Sequence, residues 1–408
     1  MKMKKIEGGI TAATGFLATG ICAGIKKEKK DMAMVYSKTP CKTAGTFTTN
    51  LVKAAPVKWD RKVVRESGFS QAVVVNSGVA NACTGQEGYQ YCEDTAKKAG
   101  EVLGVPAGSV LVASTGVIGK QLPMDIILKG IEVLQKNLSD TADGALLAAE
   151  AIMTTDTVPK QVAYEFEVGG KKAVIGGMCK GSGMIHPNMA TMLCFLTTDI
   201  AIDKMLLQHA LSEVVQDTFN MVSVDGDTST NDTVLLMANG MAGNAEITEE
   251  NADYKVFLEA LYQVMGFLCK KIAGDGEGAT ALLEMKVIHA TTKAQAKQLC
   301  KSVVTSSLVK TAVFGHDANW GRILCAMGYA GAIFDPEKTD IYFESAAGKL
   351  KIVENGMDAG YSEEIATRIL SEKEVTIIAD IKEGSESAVS WGCDLTYDYV
   401  KINGDYRS

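Results

Sequence analysis

Apolar and polar residues follow two different periods along this chain, and the two periods predict an interleaved set of strands and helices. Short runs of apolar, often β-branched residues predict buried strands at residues 72–75, 110–113, 192–197, 282–288 and 375–381. Apolar residues that recur with a helical period predict helices at residues 124–138, 203–219, 254–272 and 292–304. Strands and helices are therefore expected to mix over the whole length of the chain.

A hairpin pattern lies near the middle of the chain. Two segments, 164–168 and 171–175, flank Gly169 and Gly170, and a two-glycine turn is typical of a β-hairpin. Consecutive antiparallel strands argue against a doubly wound parallel sheet. We therefore predict a mixed α/β fold.

The length of 408 residues predicts two domains, because single hydrophobic cores usually stop growing below that size. The boundary is expected after the glycine-rich loop at residues 274–278 and the strand that follows it. This places the main domain at residues 1–285 and a smaller domain at residues 286–408.

Composition excludes several classes of function. A hydrophobic share of 47% with 22% charged residues is ordinary for a globular enzyme. A net charge of -8 argues against a nucleic-acid partner, and no apolar run suggests a membrane span. The basic start and residues 9–25 loosely imitate a signal peptide, but the stretch is too rich in glycine and threonine. Ten cysteines without zinc-like spacing indicate reduced thiols, so we expect a cytoplasmic protein without a bound metal.

Two other patterns resemble ligand loops without meeting their requirements. Asp225, Asp227 and Asp232 are spaced like calcium ligands, but the glutamate of a calcium loop is missing at the twelfth position. The glycines of residues 274–278 lack the Lys-Ser/Thr pair of a phosphate-binding loop. Neither pattern therefore predicts a metal or a nucleotide.

The most informative segment is KGSGMIHPNMATML at residues 180–193, a glycine-rich loop that leads into an apolar strand at Thr191. Such a threonine is often only the first residue of a strand. Alternatively, Thr191 attacks the carbonyl of Ala190, breaks that peptide bond through an ester, and acquires a free α-amine. An amine with a pKa of about 8 can serve as the base that a threonine nucleophile needs. His186 is then expected to shape the loop, since the amine already supplies a base.

This segment resembles the autoprocessing signature of the ornithine acetyltransferase (glutamate N-acetyltransferase) family. Further motifs resemble the same family in the same order: GGITA at 8–12, NSGVANA at 76–82, STGVIG at 114–119, TTDT at 154–157, DGDTSTND at 225–232, GDGEGAT at 274–280, HDANWGR at 316–322 and NGDYRS at 403–408. The likeness spans essentially the whole chain.

The resemblance implies a layered αββα main domain, a smaller C-terminal α/β domain and a set of site residues. Cleavage between Ala190 and Thr191 would leave Thr191 as the nucleophile, with Thr115 and Gly116 as the oxyanion hole. The implied substrate-binding residues are Thr154, Lys180, Thr191, Glu277, Asn403 and Ser408, with Thr155 as an alternative to Thr154. Lys180 suits a carboxylate and Glu277 an ammonium group. The family more commonly has alanine at the position of Gly404 and threonine at that of Ser408.

The implied reaction moves an acetyl group from N2-acetyl-L-ornithine to L-glutamate through acetyl-Thr191, in arginine biosynthesis. No metal or organic cofactor is expected, and the partners are these small molecules and the two cleaved fragments, assembled as a heterotetramer. Whether acetyl-CoA is also a donor stays open. Two alternatives remain: an N-terminal-nucleophile aminopeptidase or amidase of related fold, and a non-enzymic binding protein.

Overall fold

The computed structural model describes residues 3–186 and 192–405, which divide into two compact units. Unit 1 consists of the described residues in 3–181, 192–219 and 228–268, and unit 2 of those in 182–186, 220–227 and 269–405. Ala190, Thr191 and Ser408 lie outside the described residues.

Unit 1 is built on one continuous network of strands. In chain order these strands are β1 (Lys4–Ile6), β2 (Phe16–Ile21), β3 (Met32–Phe47), β4 (Ser70–Val79), β5 (Val110–Val117), β6 (Lys160–Val168), β7 (Lys171–Lys180), β8 (Leu193–Thr198) and β9 (Thr233–Ala238). Their order in the sheet is β1-β6-β7-β8-β9-β3-β4-β5, and β2 pairs with β3.

The long strand β3 divides this network into two layers. Its first part pairs with β2 and β4, whereas residues 42–47 pair with β9, after an irregularity in the pairing with β4 between Tyr36 and Cys41. Phe195 and Leu235 pack in the same buried cluster as Met34 and Val74. The core of unit 1 therefore contains side chains from both layers.

Helices cover both layers of unit 1. They are α1 (Ala55–Glu66), α2 (Gly85–Leu103), α3 (Met124–Lys136), α4 (Ala142–Ala151), α5 (Lys204–Asp217) and α6 (Ala252–Gly274), whose last residues belong to unit 2. Helices α1 to α4 cover the layer of β2, β4 and β5. For example, Trp59 of α1 donates from its indole nitrogen to the Val110 carbonyl at 3.0 Å. On the other layer, Gln208 of α5 accepts a hydrogen bond from the Gly45 amide at 3.0 Å. This arrangement confirms the predicted αββα fold.

Unit 2 contains a second, smaller sheet. Its strands are β10 (Leu282–Ala290), β11 (Asp340–Ser345), β12 (Gly348–Glu354), β13 (Met357–Asp358), β14 (Glu374–Asp380) and β15 (Glu386–Cys393), in the order β13-β12-β11-β14-β10-β15. Its helices are α7 (Lys293–Thr305), α8 (Ser307–Phe314), α9 (Trp320–Gly328), α10 (Glu363–Leu370) and α11 (Tyr397–Gly404). Strands β10 and β14 are parallel and the other pairs are antiparallel.

The predicted elements correspond to observed ones with small differences at their ends. The predicted hairpin is β6 and β7, joined through Gly169 and Gly170, which both have positive φ. Helix α3 forms because Ile127, Ile131 and Leu134 recur on one buried face. The predicted boundary at residues 285 and 286 lies inside β10, and the division into domains at that point stays a prediction.

Candidate active site

Thr115 and Gly116 lie at the carboxyl end of β5, where the buried strand gives way to half-buried residues. Strand β5 runs parallel to β4, with Gly78 opposite Gly116. Gly116 has a φ of 132°, and a Cβ there would overlap the Gly78 carbonyl, so the turn requires glycine. The Thr115 hydroxyl has no hydrogen-bond partner within residues 3–186 and 192–405. It therefore remains able to donate to a bound molecule.

Buried polar side chains fix the backbone of this turn through hydrogen bonds. Ser114 donates to Asn76 at 2.6 Å, and Asn76 donates to the Val79 carbonyl at 2.9 Å. Asn231 donates to the carbonyls of Ala80 at 2.6 Å and of Ser114 at 2.7 Å. Three separate sequence motifs thus meet in one hydrogen-bonded network, which fixes the backbone around Thr115.

Asp156 connects the segment of Thr154 to the end of β7. Its carboxylate accepts from the Thr154 amide at 3.0 Å, the Gly181 amide at 2.7 Å and the Lys160 ammonium at 2.6 Å. The side chains of Asp156 and Lys160 are fully buried. Burial opposes the ionised form of Asp156, but Lys180 and Lys160 outweigh it and hold the pKa of this carboxyl well below its usual range. The carboxylate therefore stays ionised and orders the residues on either side of it.

Lys180, the last residue of β7, is only 7% exposed. Within the described part of the chain, no residue forms a hydrogen bond or an ion pair with its ammonium group. Two carboxyls are electrostatically coupled to it: Asp156, whose oxygens already accept from Lys160 and two backbone amides, and Asp232, whose pKa burial raises well above its usual value. A buried ammonium needs an anion to compensate its lost hydration. Lys180 is therefore suited to hold an anionic group of a ligand.

In unit 2 the structure brings Glu277 and Asn403 together. The Glu277 carboxylate accepts from the Asn403 side-chain amide at 2.8 Å, and that amide also donates to the Tyr399 carbonyl at 3.0 Å. Glu277 is 7% exposed, and its backbone amide donates to the Ser182 carbonyl at 3.0 Å. A buried carboxylate with one neutral donor can accept further donors, such as those of an ammonium group.

Asp225 orders the residues that precede the predicted cleavage point. Its carboxylate accepts from the backbone amides of Met184 at 2.6 Å and Ile185 at 2.8 Å. Met184 has a φ of 56°, a conformation that few non-glycine residues adopt without such support. Asp225 and its loop therefore act on backbone conformation, a structural role that the calcium-like spacing alone did not indicate.

His186 directly follows Met184 and Ile185, whose backbone amides Asp225 holds. Its Nδ1 is 3.1 Å from the Ser223 hydroxyl. Burial, assisted by the charge of Lys301 and opposed by that of Asp225, lowers the pKa of His186 to about 4. The imidazole is therefore neutral at pH 7 and is held in place by its neighbours. The expected loop-shaping role of His186 stays a prediction.

The predicted site residues fall into three described groups. These are the Thr115–Gly116 turn, Thr154 with Lys180 around Asp156, and Glu277 with Asn403. Thr154 and Thr155 are both half-buried, so the choice between them stays open. Ala190, Thr191 and Ser408 lie outside the described residues. The described residues contain no helix long and apolar enough to cross a membrane, and no acidic, histidine or cysteine cluster suited to a metal ion.

Sequence reasoning missed the residues that support these groups. Three of them were inside recognised motifs, but the sequence did not indicate what they would contact: Asn76, Asp156 and Asn231. Lys160 lies outside every motif named above. Its position four residues after Asp156 was the one available signal, and that spacing suggests a partner only once both side chains are known to be buried.

Comparison with known proteins identifies the family. A model described as the ArgJ family matches residues 17–408. The arginine biosynthesis bifunctional protein ArgJ of Caldanaerobacter subterraneus subsp. tengcongensis is 52% identical over 100% of both chains. The chain belongs to the ArgJ family. The protein of the same name from Listeria monocytogenes serovar 1/2a is 46% identical, again over 100% of both chains.

Two solved structures are also similar in sequence. The crystal structure of ArgJ from Bacillus halodurans is 44% identical, covering 46% of this chain and 98% of that chain, with a TM-score of 0.45. The ornithine acetyltransferase of Mycobacterium tuberculosis, solved with ornithine, is 41% identical, covering 46% of this chain and 100% of that chain, with a TM-score of 0.44.

Family membership confirms the predicted class of activity. The chain is an acetyltransferase of arginine biosynthesis, as the motifs implied. The aminopeptidase and binding-protein alternatives are not favoured, because neither accounts for a match along nearly the whole chain.

Proposed function

We propose that this ArgJ chain cleaves itself between Ala190 and Thr191 and then transfers acetyl groups through Thr191. In the cleavage, the Thr191 hydroxyl oxygen attacks the Ala190 carbonyl carbon and the peptide C–N bond breaks, which leaves an ester. Water hydrolyses the ester, so Ala190 ends in a carboxylate and Thr191 keeps its hydroxyl and a free α-amine.

In the first half of the transfer, Thr191 Oγ attacks the acetyl carbon of N2-acetyl-L-ornithine. The hydroxyl proton moves to the α-amine and then to the departing ornithine nitrogen as the acetyl C–N bond breaks. In the second half, the L-glutamate amine attacks the acetyl ester, the C–O bond breaks, and Thr191 regains its proton. N-acetyl-L-glutamate leaves, and one acetyl group has passed between two amines.

The observation that carries this proposal is the Thr115–Gly116 turn. Attack on an acetyl group places negative charge on its oxygen, and donors held in advance stabilise that charge without reorganising. Thr115 offers a hydroxyl without a described partner, and Asn231 and Asn76 hold the backbone around it. These features support Thr115 and Gly116 as the oxyanion hole.

The proposed substrate contacts follow from the chemistry of each side chain. Lys180, a buried ammonium with no hydrogen-bonded or ion-paired anion among the described residues, receives the α-carboxylate, which donor and acceptor share. Glu277, whose carboxylate has one neutral donor in Asn403, receives an ammonium group. Thr154 and Ser408 complete the set by resemblance to the family.

Several finer features also belong to this proposal. The substrates are the small molecules named above, the reaction uses no metal or organic cofactor, and acetyl-CoA is a candidate second donor. The two fragments are proposed to remain associated as a heterotetramer in the cytoplasm. Assays with N-acetyl-ornithine and with acetyl-CoA, each with glutamate, will separate a bifunctional enzyme from a monofunctional one.

The decisive experiment combines fragment analysis with acetyl trapping. Purified protein should run as fragments of residues 1–190 and 191–408, roughly 20 and 23 kDa in proportion to their lengths. Incubation with N-acetyl-ornithine alone should add one acetyl group to the fragment that begins at Thr191 and release ornithine. Glutamate should then remove the acetyl group.

Variants of Thr191 provide the matched control. Thr191→Ala should give one intact, inactive chain, whereas Thr191→Ser should retain some cleavage because it keeps a hydroxyl. An active preparation that runs as one intact chain would exclude the cleavage step. Intersecting initial-rate lines with no trapped acetyl group would instead indicate direct transfer in a ternary complex.

A further inference from the structure

The loop between β2 and β3 is folded around one buried carboxylate. Asp31, which is fully buried, accepts hydrogen bonds from the four consecutive backbone amides of residues 23–26, at 2.6, 3.0, 2.6 and 2.9 Å. These bonds fix the backbone of the loop and the direction in which Lys26 leaves it. A side chain anchored in this way can contribute to a preorganised site.

Lys26 lies against the Thr115–Gly116 turn, the proposed oxyanion hole, which is called the oxyanion turn below. The aliphatic part of its side chain covers Gly78, where an added Cβ would be 3.3 Å from Lys26 Cγ. Gly78 in turn is the strand neighbour of Gly116. The Lys26 ammonium donates to the Met153 carbonyl at 2.9 Å, and Met153 immediately precedes Thr154. The ammonium therefore lies where the oxyanion turn and the Thr154 segment approach each other.

The carboxylates around Lys26 are already occupied by other donors. Asp31 is bound by four backbone amides, and Asp156 by Lys160 and two backbone amides. Within the described residues, the Lys26 ammonium donates one hydrogen bond, to the backbone carbonyl of Met153. Two of its three donors are therefore open.

Lys26 and Lys180 both have open donors with respect to the described residues, and Asp156 is electrostatically coupled to each of them. Burial lowers the pKa of Lys26 to about 8, opposed by Asp31 and Asp156 and assisted by Lys29. A half-buried ammonium of this kind gains most from an anion that replaces its lost hydration. Two ammonium groups that share Asp156 as a neighbour suit a ligand with two carboxylates.

The proposed substrates differ in this respect. N-acetyl-ornithine and glutamate share an α-carboxylate, but their side chains end in an ammonium and a carboxylate respectively. With the α-carboxylate on Lys180, the acceptor has one further carboxylate to place and the donor has none. We propose that Lys26 binds the γ-carboxylate of the glutamate acceptor and selects glutamate over neutral acceptors; this inference rests on the proposed function.

The test separates the two halves of the reaction in Lys26→Met, which keeps the aliphatic stem and removes the charge. Lys27→Met, at an exposed neighbouring position, is the matched control. The acetyl-enzyme is formed with N-acetyl-ornithine, and its decay is followed against glutamate and against glutamine, the neutral analogue of similar shape. Lys26→Met should raise the half-saturating glutamate concentration about 10- to 100-fold, as expected for loss of a charge-assisted hydrogen bond.

The same variant should change acetylation by N-acetyl-ornithine, and decay with glutamine, by no more than about twofold, the level expected where no direct contact is lost. Lys26→Arg should restore part of the preference for glutamate, and Lys27→Met should behave like the unsubstituted enzyme. Equal losses for N-acetyl-ornithine, glutamate and glutamine would overturn the inference, because Lys26 would then serve a group common to all substrates. An unchanged preference for glutamate would also overturn it.

Two further measurements keep the inference testable on its own. If Lys26→Met does not fold, a lysine-modifying reagent on the unsubstituted enzyme should label Lys26, and glutamate but not glutamine should protect it; equal protection would refute the assignment. If no acetyl group is trapped on the fragment that begins at Thr191, the proposed function fails. Calorimetric binding of glutamate and glutamine to the unsubstituted enzyme and to Lys26→Met still tests Lys26 in that case.

Discussion

Replacing Lys160 by methionine is expected to destabilise unit 1 strongly while preserving the size of the side chain. Lys160 and Asp156 are fully buried and 2.6 Å apart. Removing the ammonium leaves a carboxylate that burial disfavours and that keeps the backbone amides of Thr154 and Gly181 as its donors. Loss of one partner of a buried ion pair costs about 3 to 5 kcal/mol. Lys160→Met should therefore be far more damaging than a change on the surface.

The size of this effect can be measured as a melting temperature. Each kcal/mol lowers the Tm of a domain of about 150 to 250 residues by about 2 to 4 °C, so Lys160→Met should melt about 6 to 20 °C below the unsubstituted protein. Lys172→Met provides a control, because Lys172 is 80% exposed in its ion pair with Glu165. Such a surface pair contributes about 0 to 1 kcal/mol.

A double variant distinguishes the ion pair from simple packing. Asp156→Asn combined with Lys160→Met removes the unpaired carboxylate charge and keeps an acceptor for the amides of Thr154 and Gly181. It should therefore recover a large part of the stability that Lys160→Met alone loses. If the double variant is as unstable as the sum of its single changes, or if Lys160→Met melts like Lys172→Met, the stabilising role assigned to the pair is wrong.

The contribution of Asp156 to the free energy of unfolding should decrease at low pH. The pKa of Asp156 in the folded protein lies below its unfolded value of about 3.9. Its contribution is therefore fully present above that pH and is lost as the pH falls toward the folded pKa. The free energy of unfolding of the unsubstituted protein, minus that of Asp156→Asn, should decrease below about pH 4. A difference that stays constant through this range would contradict the assignment.

Two further variants test the Thr115–Gly116 turn as the proposed oxyanion hole. Thr115→Ala should lower turnover about 10²- to 10³-fold with little change in Tm, and full turnover in that variant would place the oxyanion donor elsewhere. Asn231→Leu should cost about 1 to 3 kcal/mol for each carbonyl, of Ala80 and Ser114, that it leaves unsatisfied, and should also reduce turnover. An unchanged Tm, equal to that of the exposed control Asn137→Leu, would show that Asn231 does not hold the turn.

The sequence by itself determined the local structure and the family of this protein. Apolar periods predicted β4, β5 and the β6–β7 hairpin, because the conformation of a short segment depends largely on its own side chains and its immediate neighbours. The ordered motifs identified the ornithine acetyltransferase family and singled out the Thr115–Gly116 turn. Both results rest on information that is contiguous along the chain.

Only the tertiary structure decided which polar residues meet. Asn231 and Ser114 are separated by 117 residues, and Lys26 and Met153 by 127. The sequence also could not predict that Asp156 and Lys160 would be buried together, since a pair of charges four residues apart is more often solvated. A buried charge or amide is stable only where the fold supplies its partner. The partners of the residues that hold the Thr115–Gly116 turn are therefore properties of the packed chain, and no local pattern could have identified them.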